Sequence, residues 1–178
     1  MNNYREAIEL VVKHEGGYVK DPMDRGGETY KGISRRFFPR WGGWTIVDID
    51  HFDDSLDELV VEFYKTYFWD PLKLSLVGDD FVASMLMNIA VNQGKKSVAK
   101  KIQRILHVNA DGVIGPITMG ALNATNRDAF VYQFIIETVD LYTHIINKDR
   151  GQKKFIVGWL NRAMALYSDY EHYKRIKD

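Results

Sequence analysis

A chain of 178 residues without cysteine, with 24 basic and 24 acidic side chains, excludes several classes of protein before any motif is considered. The length suits one compact domain, or one domain with a small appended half, which can bury a core without disulfides or metals. The lack of cysteine excludes a thiol nucleophile and a cysteine-type zinc site, and the balanced charge argues against a protein held mainly by nucleic acid phosphates.

The amino terminus lacks the long apolar region of a secretory signal, because Glu6 and Glu9 interrupt it. The apolar runs elsewhere in the chain are far too short to span a membrane. We therefore expect a protein that is made in the cytoplasm without an export signal and is not stably inserted in a membrane.

The front half predicts helices around a turn-rich segment. A capping-box pattern opens a first helix of about residues 4–15, and the glycine pair after Glu15 ends it. Residues 16–34 contain five glycines and predict a structured loop or a small hairpin. Further helices are expected near Phe37, over about residues 55–67 and over about residues 80–91.

The rear half predicts helices at about residues 95–106, 118–122, 127–148 and 154–173. The last two patterns are long and amphipathic, and turns containing glycine precede the short second helix. A soft boundary near residue 95 separates the loop-bearing front half from this helical rear half. The pattern therefore predicts a mainly α protein with one small irregular or β element.

Four carboxylates lie within the turn-rich segment, and they are Glu15, Asp21, Asp24 and Glu28. Glycosidases use two carboxyl groups that flank the scissile bond, one protonated and one ionised. Glu15 is the stronger candidate for the protonated group, because the negative end of the helix dipole favours its neutral form. A surface residue at a frayed helix end is the alternative. Asp24 could hold a water opposite Glu15 and Thr29 could bond that water, although turn chemistry explains each aspartate singly.

Other site chemistries fit this segment less well. His14-Glu15 lacks the second histidine of a zinc-binding helix, and the spacing of the aspartates is not that of a calcium loop. The glycines match neither the dinucleotide pattern nor the phosphate-loop pattern. We therefore expect neither a metal nor a cofactor.

Residues 14–34, HEGGYVKDPMDRGGETYKGIS, resemble the signature of glycoside hydrolase family 108. These are lysozyme-like proteins of phages and bacteria, and some are called secretion activator proteins or endolysins. The family places a catalytic Glu in E-G-G-Y, followed by D-P and by G-G-E-T-x-x-G-I, and this chain carries all three. Weaker agreement comes from residues 67–70, 90–94 and 158–162.

The resemblance implies a mainly α (α+β), lysozyme-like fold with a small β-hairpin or irregular loop at the active site. It also implies hydrolysis of the β-1,4 bond between N-acetylmuramic acid and N-acetylglucosamine in bacterial peptidoglycan, with Glu15 as the proton donor. Residues 102–122 resemble a type 3 peptidoglycan-binding region. The chain would thus consist of a catalytic half, residues 1–94, and a helical half, residues 95–178, packed as one unit. Residues 102–122 could bind the cell-wall polymer, or they could form a turn that positions the next helix, and the sequence favours neither role.

Phage-type lysozymes share a Glu, an Asp nine residues later and a Thr six residues beyond that. Asp24 keeps the first spacing from Glu15, whereas Thr29 falls one residue short of the second, so Asp21 stays an alternative to Asp24. The implied cleft lies between the front loop and the helical rear. Its candidate lining residues are Trp44, Tyr67, Trp69, Asn88, Asn92 and Gln93, and core packing is the favoured alternative for each aromatic ring.

Rival functions stay open at this point. One is a non-catalytic wall-binding module, another is a secretion-linked interaction protein, and a third is the same enzyme acting on chitin-like polymers. We expect peptidoglycan as the partner, no nucleic acid, and a monomer. Action on the wall or in the periplasm would follow release through a holin pore if the origin is a phage or prophage. Inversion or retention depends on the separation of the carboxyl groups.

Overall fold

The structure is a computed structural model that describes residues 4–14, 17–20, 27–49 and 54–177. Within these residues the α-helices are α1 (Tyr4–His14), α2 (Trp44–Val47), α3 (Asp54–Tyr64), α4 (Asp80–Gln93), α5 (Lys95–Ile105), α6 (Pro116–Ala124), α7 (Arg127–Lys148) and α8 (Ile156–Lys177), and short 3₁₀ helices span Leu74–Leu76 and Arg150–Phe155. The strands are β1 (Tyr18–Lys20), β2 (Glu28–Tyr30) and β3 (Ile33–Ser34). The predicted class, mainly α with a small β element, is confirmed.

The three short strands form one antiparallel sheet in the order β1-β2-β3. Thr29 lies opposite Val19 on one side and opposite Ser34 on the other. The turn between β2 and β3 has positive φ at Lys31 and Gly32, and the Tyr64 hydroxyl donates a hydrogen bond of 2.8 Å to the Lys31 carbonyl. The turn-rich segment therefore contains the small hairpin that its glycines predicted, and α3 anchors it.

The prediction of a helix near Phe37 is wrong. The backbone N–H groups of Phe37 and Phe38 both donate to the Ser34 carbonyl. These bonds form a turn rather than the start of a helix, because Ser34 belongs to β3. The next helix is α2, which begins after Gly43 with the buried Trp44. Since its indole N–H donates to the Phe38 carbonyl at 2.8 Å, the turn is held against the core.

Helix α3 continues past its predicted end in a different geometry. Residues Lys65–Trp69 form a π-helical turn, in which the Asp70 N–H donates to the Lys65 carbonyl at 2.9 Å. This wider turn carries Trp69 into the core, where its indole N–H donates to Ser75 at 2.8 Å. Pro71 follows directly, and no helix of the α type continues through it.

Helix α4 is the centre of the molecule and is apolar on several sides, with seven buried residues. It packs against α1, α5 and α8, and α7 packs against both α5 and α8. One set of buried side chains runs from the front helices to the rear helices, and it includes Ile8, Leu56, Leu86, Phe134 and Tyr170. No described helix combines the length and the hydrophobicity that crossing a bilayer requires.

The loop between α5 and α6 is organised by the buried amide of Gln103. This amide donates to the Asp111 carboxylate at 2.7 Å and to the Val113 carbonyl at 3.0 Å, and it accepts from the Gly112 N–H at 2.8 Å. Gly112 has a φ of 85°, which a side chain would strain. These contacts give the Asp111-Gly112 motif a structural role, which is to seat α6.

Candidate functional site

A polar cavity of about 320 Å³ lies between α1, α4 and α8. Helix α1 contributes Val11, and α4 contributes Asn88 and Asn92, which share one face because they are four residues apart. The side-chain amide of Asn92 donates to the Asn88 carbonyl at 2.8 Å. The wall on α8 consists of Asn161, Arg162, Ala165, Leu166 and Asp169.

A second cavity of about 490 Å³ lies between the end of α4 and helices α7 and α8. Its lining residues are Asn92, Gln93, Ser97, Leu141, Tyr142, Ile145, Trp159 and Arg162. Asn92 and Arg162 line both cavities, so the two cavities adjoin each other along α8. We call the adjoining pair the α4–α8 groove.

The far end of the α4–α8 groove is aromatic. The rings of Trp159 and Tyr142 stack with centroids 5.1 Å apart and an interplanar angle of 23°. Phe155 stacks on Trp159 at 6.0 Å and 29°. An elongated groove that combines side-chain amides, a guanidinium and an aromatic cluster has the mixture of apolar surface and few polar groups that binding sites use.

A buried lysine lies behind Gln93. The Lys101 ammonium donates to the Gln93 side-chain oxygen at 2.9 Å and to the Thr138 hydroxyl at 2.6 Å. It also lies 4.7 Å from the centroid of the Phe134 ring. Burial lowers the pKa of Lys101 to about 8, because desolvation disfavours the charged form.

The turn between α4 and α5 explains how Gln93 comes to face Lys101. Gly94 has a φ of 82°, and its N–H caps α4 by donating to the Ala90 carbonyl. The chain can therefore reverse at once into α5, which begins at Lys95. Gln93 at the end of α4 and Lys101 two turns into α5 are thereby brought together.

Asn88, Asn92 and Gln93 are the sequence-predicted residues that the structure brings together, and all three line the α4–α8 groove. Thr29 is half-buried in β2 and is not among the groove residues. Tyr67 lines a different cavity of about 540 Å³, beside Phe37 and Trp41.

Trp44 and Trp69 lie in the core rather than in the groove. Their exposed fractions are 3% and 1%, and their indole N–H groups bond within the protein. The Arg35 guanidinium covers the Trp44 ring at 4.4 Å. Core packing, the alternative that the sequence favoured for these rings, is what the structure has.

Of the four candidate carboxylates, the structure describes Glu28. Its carboxylate accepts a hydrogen bond of 2.9 Å from the Tyr18 hydroxyl and forms an ion pair of 2.7 Å with Arg35. The bond to Glu28 raises the pKa of Tyr18, and a bond to Asp48 raises that of Arg35. Glu28 therefore ties β1 and β2 to the chain that follows β3.

Glu15, Asp21 and Asp24 lie outside the described residues. Among the residues that the structure does describe, no group of histidine and carboxylate side chains is arranged to hold a metal ion.

Sequence reasoning did not assign the groove residues of α7 and α8, chiefly Tyr142, Trp159, Arg162 and Asp169. Residues 158–162 agree with the family pattern, but their chain position gives no indication of what they face. Helical spacing was a usable signal, because Arg162 and Asp169 are seven residues apart and so share one face of α8.

Comparisons with known proteins agree with this architecture. The family model described as Glycosyl hydrolase 108 matches residues 8–94, and the one described as Predicted Peptidoglycan domain matches residues 98–164. No curated protein matches the chain. Twelve chains of solved structures match. One is SagA of Brucella abortus, which is 22% identical, with 97% of this chain and 95% of that chain covered and a TM-score of 0.75. That likeness shows a shared fold.

Proposed function

We propose that this protein is a muramidase, because residues 8–94 match the family model of glycosyl hydrolase 108 and residues 98–164 match that of a peptidoglycan domain. It cleaves the β-1,4 bond between N-acetylmuramic acid and N-acetylglucosamine, and the α4–α8 groove binds the glycan. One observation carries this proposal. The two matched regions line a single groove, in which Asn92 of the first and Arg162 of the second border both cavities.

The chemistry of the groove suits this polymer. Side-chain amides can bond the hydroxyl and acetamido groups of sugars in both directions, and aromatic rings supply apolar surface for the sugar faces. Arg162 is exposed and forms no ion pair with any residue that the structure describes. Since guanidinium groups bind carboxylates well, Arg162 is suited to the acidic groups of peptidoglycan, which chitin lacks.

Glu15 is the general acid in this proposal. Support comes from α1, which supplies Val11 to the groove and is followed directly by Glu15, four positions after Val11. A carboxylate that follows the C-terminus of a helix faces the negative end of its dipole, which favours the protonated form that a general acid needs. Asp24 is the proposed second group, with Asp21 as its alternative and Thr29 as a partner of the water.

The substitution Glu15→Gln tests the assignment, with Glu9→Gln on the exposed side of α1 as a matched control. Release of reducing ends from purified peptidoglycan should fall about a hundredfold or more in the first variant, because general acid catalysis typically supplies that factor. The control should keep its activity, and circular dichroism should show both variants folded. Near-normal release by folded Glu15→Gln would refute the role of Glu15.

A non-catalytic wall-binding protein is the second candidate, and the match to a peptidoglycan domain favours it specifically. The wild-type protein separates the two candidates. If it sediments with purified peptidoglycan but releases no reducing ends, the binding function stands and the hydrolase is refuted. Parallel reactions with chitin would show whether the enzyme prefers the acidic polymer.

A further inference from the structure

Lys101 is an unusual residue to find in a protein core. It is 1% exposed, yet its hydrogen bonds go to two neutral oxygens, those of Gln93 and Thr138, rather than to a carboxylate. Buried lysines are rare unless they are paired, because transfer of an ammonium out of water is strongly unfavourable. The charges that act on its pKa are those of Glu137 and Arg104, which bond each other at 3.3 Å. Such a residue calls for a functional explanation.

The lysine dictates which way the Gln93 amide is turned. An ammonium can donate hydrogen bonds but cannot accept them, so the oxygen of the amide must face Lys101 and its NH₂ group must face away. The orientation of the Thr138 hydroxyl is fixed in the same way, because it donates to the Phe134 carbonyl at 2.8 Å and accepts from Lys101. The chemistry of the two groups therefore requires the Gln93 orientation that is observed.

The other edge of the same amide is different. The side-chain nitrogen of Gln93 is closed off from solvent and makes no hydrogen bond to any residue that the structure describes, while Gln93 lines the aromatic cavity beside Trp159. A buried donor without an acceptor is unfavourable. An acceptor oxygen of a ligand would remove that penalty when its entry into the cavity opens the wall beside this nitrogen.

We propose that Lys101 is a positioning residue that holds the Gln93 amide with its N–H groups turned away from the ammonium, so that they donate to the acetamido oxygen of an N-acetylhexosamine whose entry into the groove opens the cavity wall beside them. The inference rests on the proposed function of the groove as a glycan cleft. An acetamido carbonyl can only accept hydrogen bonds, whereas the ammonium of a de-N-acetylated sugar can only donate them. The site therefore selects N-acetylated over de-N-acetylated glycan.

Wild-type protein provides the first test. Glycan strands freed of their stem peptides, either N-acetylated or chemically de-N-acetylated, are titrated into the protein by calorimetry in about 0.3 M salt, which screens the added charge. We expect the N-acetylated strands to bind about tenfold more tightly, since one donor would otherwise face another donor. Equal affinity for the two strands would overturn the proposal. Binding without the release of reducing ends would instead contradict the hydrolase and leave the binding site intact.

The variant Gln93→Glu isolates the donor. It keeps an oxygen for Lys101 and has the same shape, but it replaces the NH₂ group by a second acceptor. We expect KM for N-acetylated strands to rise about tenfold with kcat within about twofold. Gln133→Glu, at an exposed position of α7 that lines neither cavity, makes the same charge change and should leave KM unaltered. An unaltered KM in Gln93→Glu would refute the role of Gln93.

The variant Lys101→Met tests the positioning step, with Thr138→Val as its matched control. Both remove two hydrogen bonds of the same buried network, but only the first frees the Gln93 amide to turn. We expect Lys101→Met to lose most of the preference for N-acetylated strands and Thr138→Val to retain it. Equal loss of preference in both variants would show that Lys101 acts only through the stability of the core.

Discussion

Replacement of Lys101 by methionine should remove a pH-dependent part of the stability of this protein. Desolvation lowers the pKa of Lys101 from its ordinary value of 10.5 to about 8 in the folded state. Below about pH 8 the side chain is charged in both states, so the full penalty for burying the ammonium is present. Between the two values the unfolded chain binds more protons, and the free energy of unfolding therefore rises with pH.

The size of the effect follows from the two pKa values. Their difference corresponds to about 3 kcal/mol, at about 1.36 kcal/mol for each pH unit. Roughly 2.5 kcal/mol of this falls between about pH 7.5 and about pH 10. Because methionine is similar in length and carries no charge, wild type should gain about 2.5 kcal/mol of stability relative to Lys101→Met over this interval.

Urea unfolding of both proteins at several pH values measures the effect. Other groups that titrate in this range contribute equally to both proteins, so they cancel in the difference between the two free energies of unfolding. Lys96→Met, at an exposed position of the same helix, should give a difference that stays constant with pH. If the difference for Lys101→Met also stays constant within about 0.5 kcal/mol, the reasoning from burial is refuted.

Three further predictions follow from other contacts. Gln103→Leu should lower the free energy of unfolding by about 2–3 kcal/mol, because Asp111 and the next backbone N–H lose a buried partner; unchanged urea unfolding would contradict this. Hydrogen bonding from Lys174 lowers the pKa of Asp128 from 3.8 to about 2, so its stabilising effect is lost as the pH falls through that value. As the pH falls, Asp128→Asn should therefore lose less stability than wild type does. Melting temperatures that fall in parallel for the two proteins would contradict this prediction. Trp159→Ala should weaken glycan binding about tenfold in calorimetry, and wild-type affinity would exclude Trp159 from the site.

Several helices could be predicted because the signals for them are local. Helix α7 spans Arg127–Lys148, as its amphipathic pattern predicted, and its first turn is capped by the Asn126 side chain, which accepts from the Ala129 N–H at 2.9 Å. The error near Phe37 has the opposite origin. Ser34, directly before this segment, lies within β3, and its pairing with β2 overrides the local preference for a helix.

The candidate site was predictable only in part. Asn88, Asn92 and Gln93 could be grouped from the sequence because they fall within about two turns of one helix. Trp159 and Tyr142 could not be added to them, since they come from α8 and α7, and their approach to α4 depends on how these helices pack. The same limit applied to Trp44 and Trp69, whose residue type suits a sugar platform and a core equally well.

The sequence by itself determined the helical class, the position of the hairpin, the family motif around Glu15 and the amide cluster at the end of α4. Caps, periodicity and turns act over a few residues, so they can be read along the chain. Only the tertiary structure decided that both halves line one groove and that Lys101 stands behind Gln93. Those relations depend on burial and on contacts between distant helices, which arise when the whole core packs.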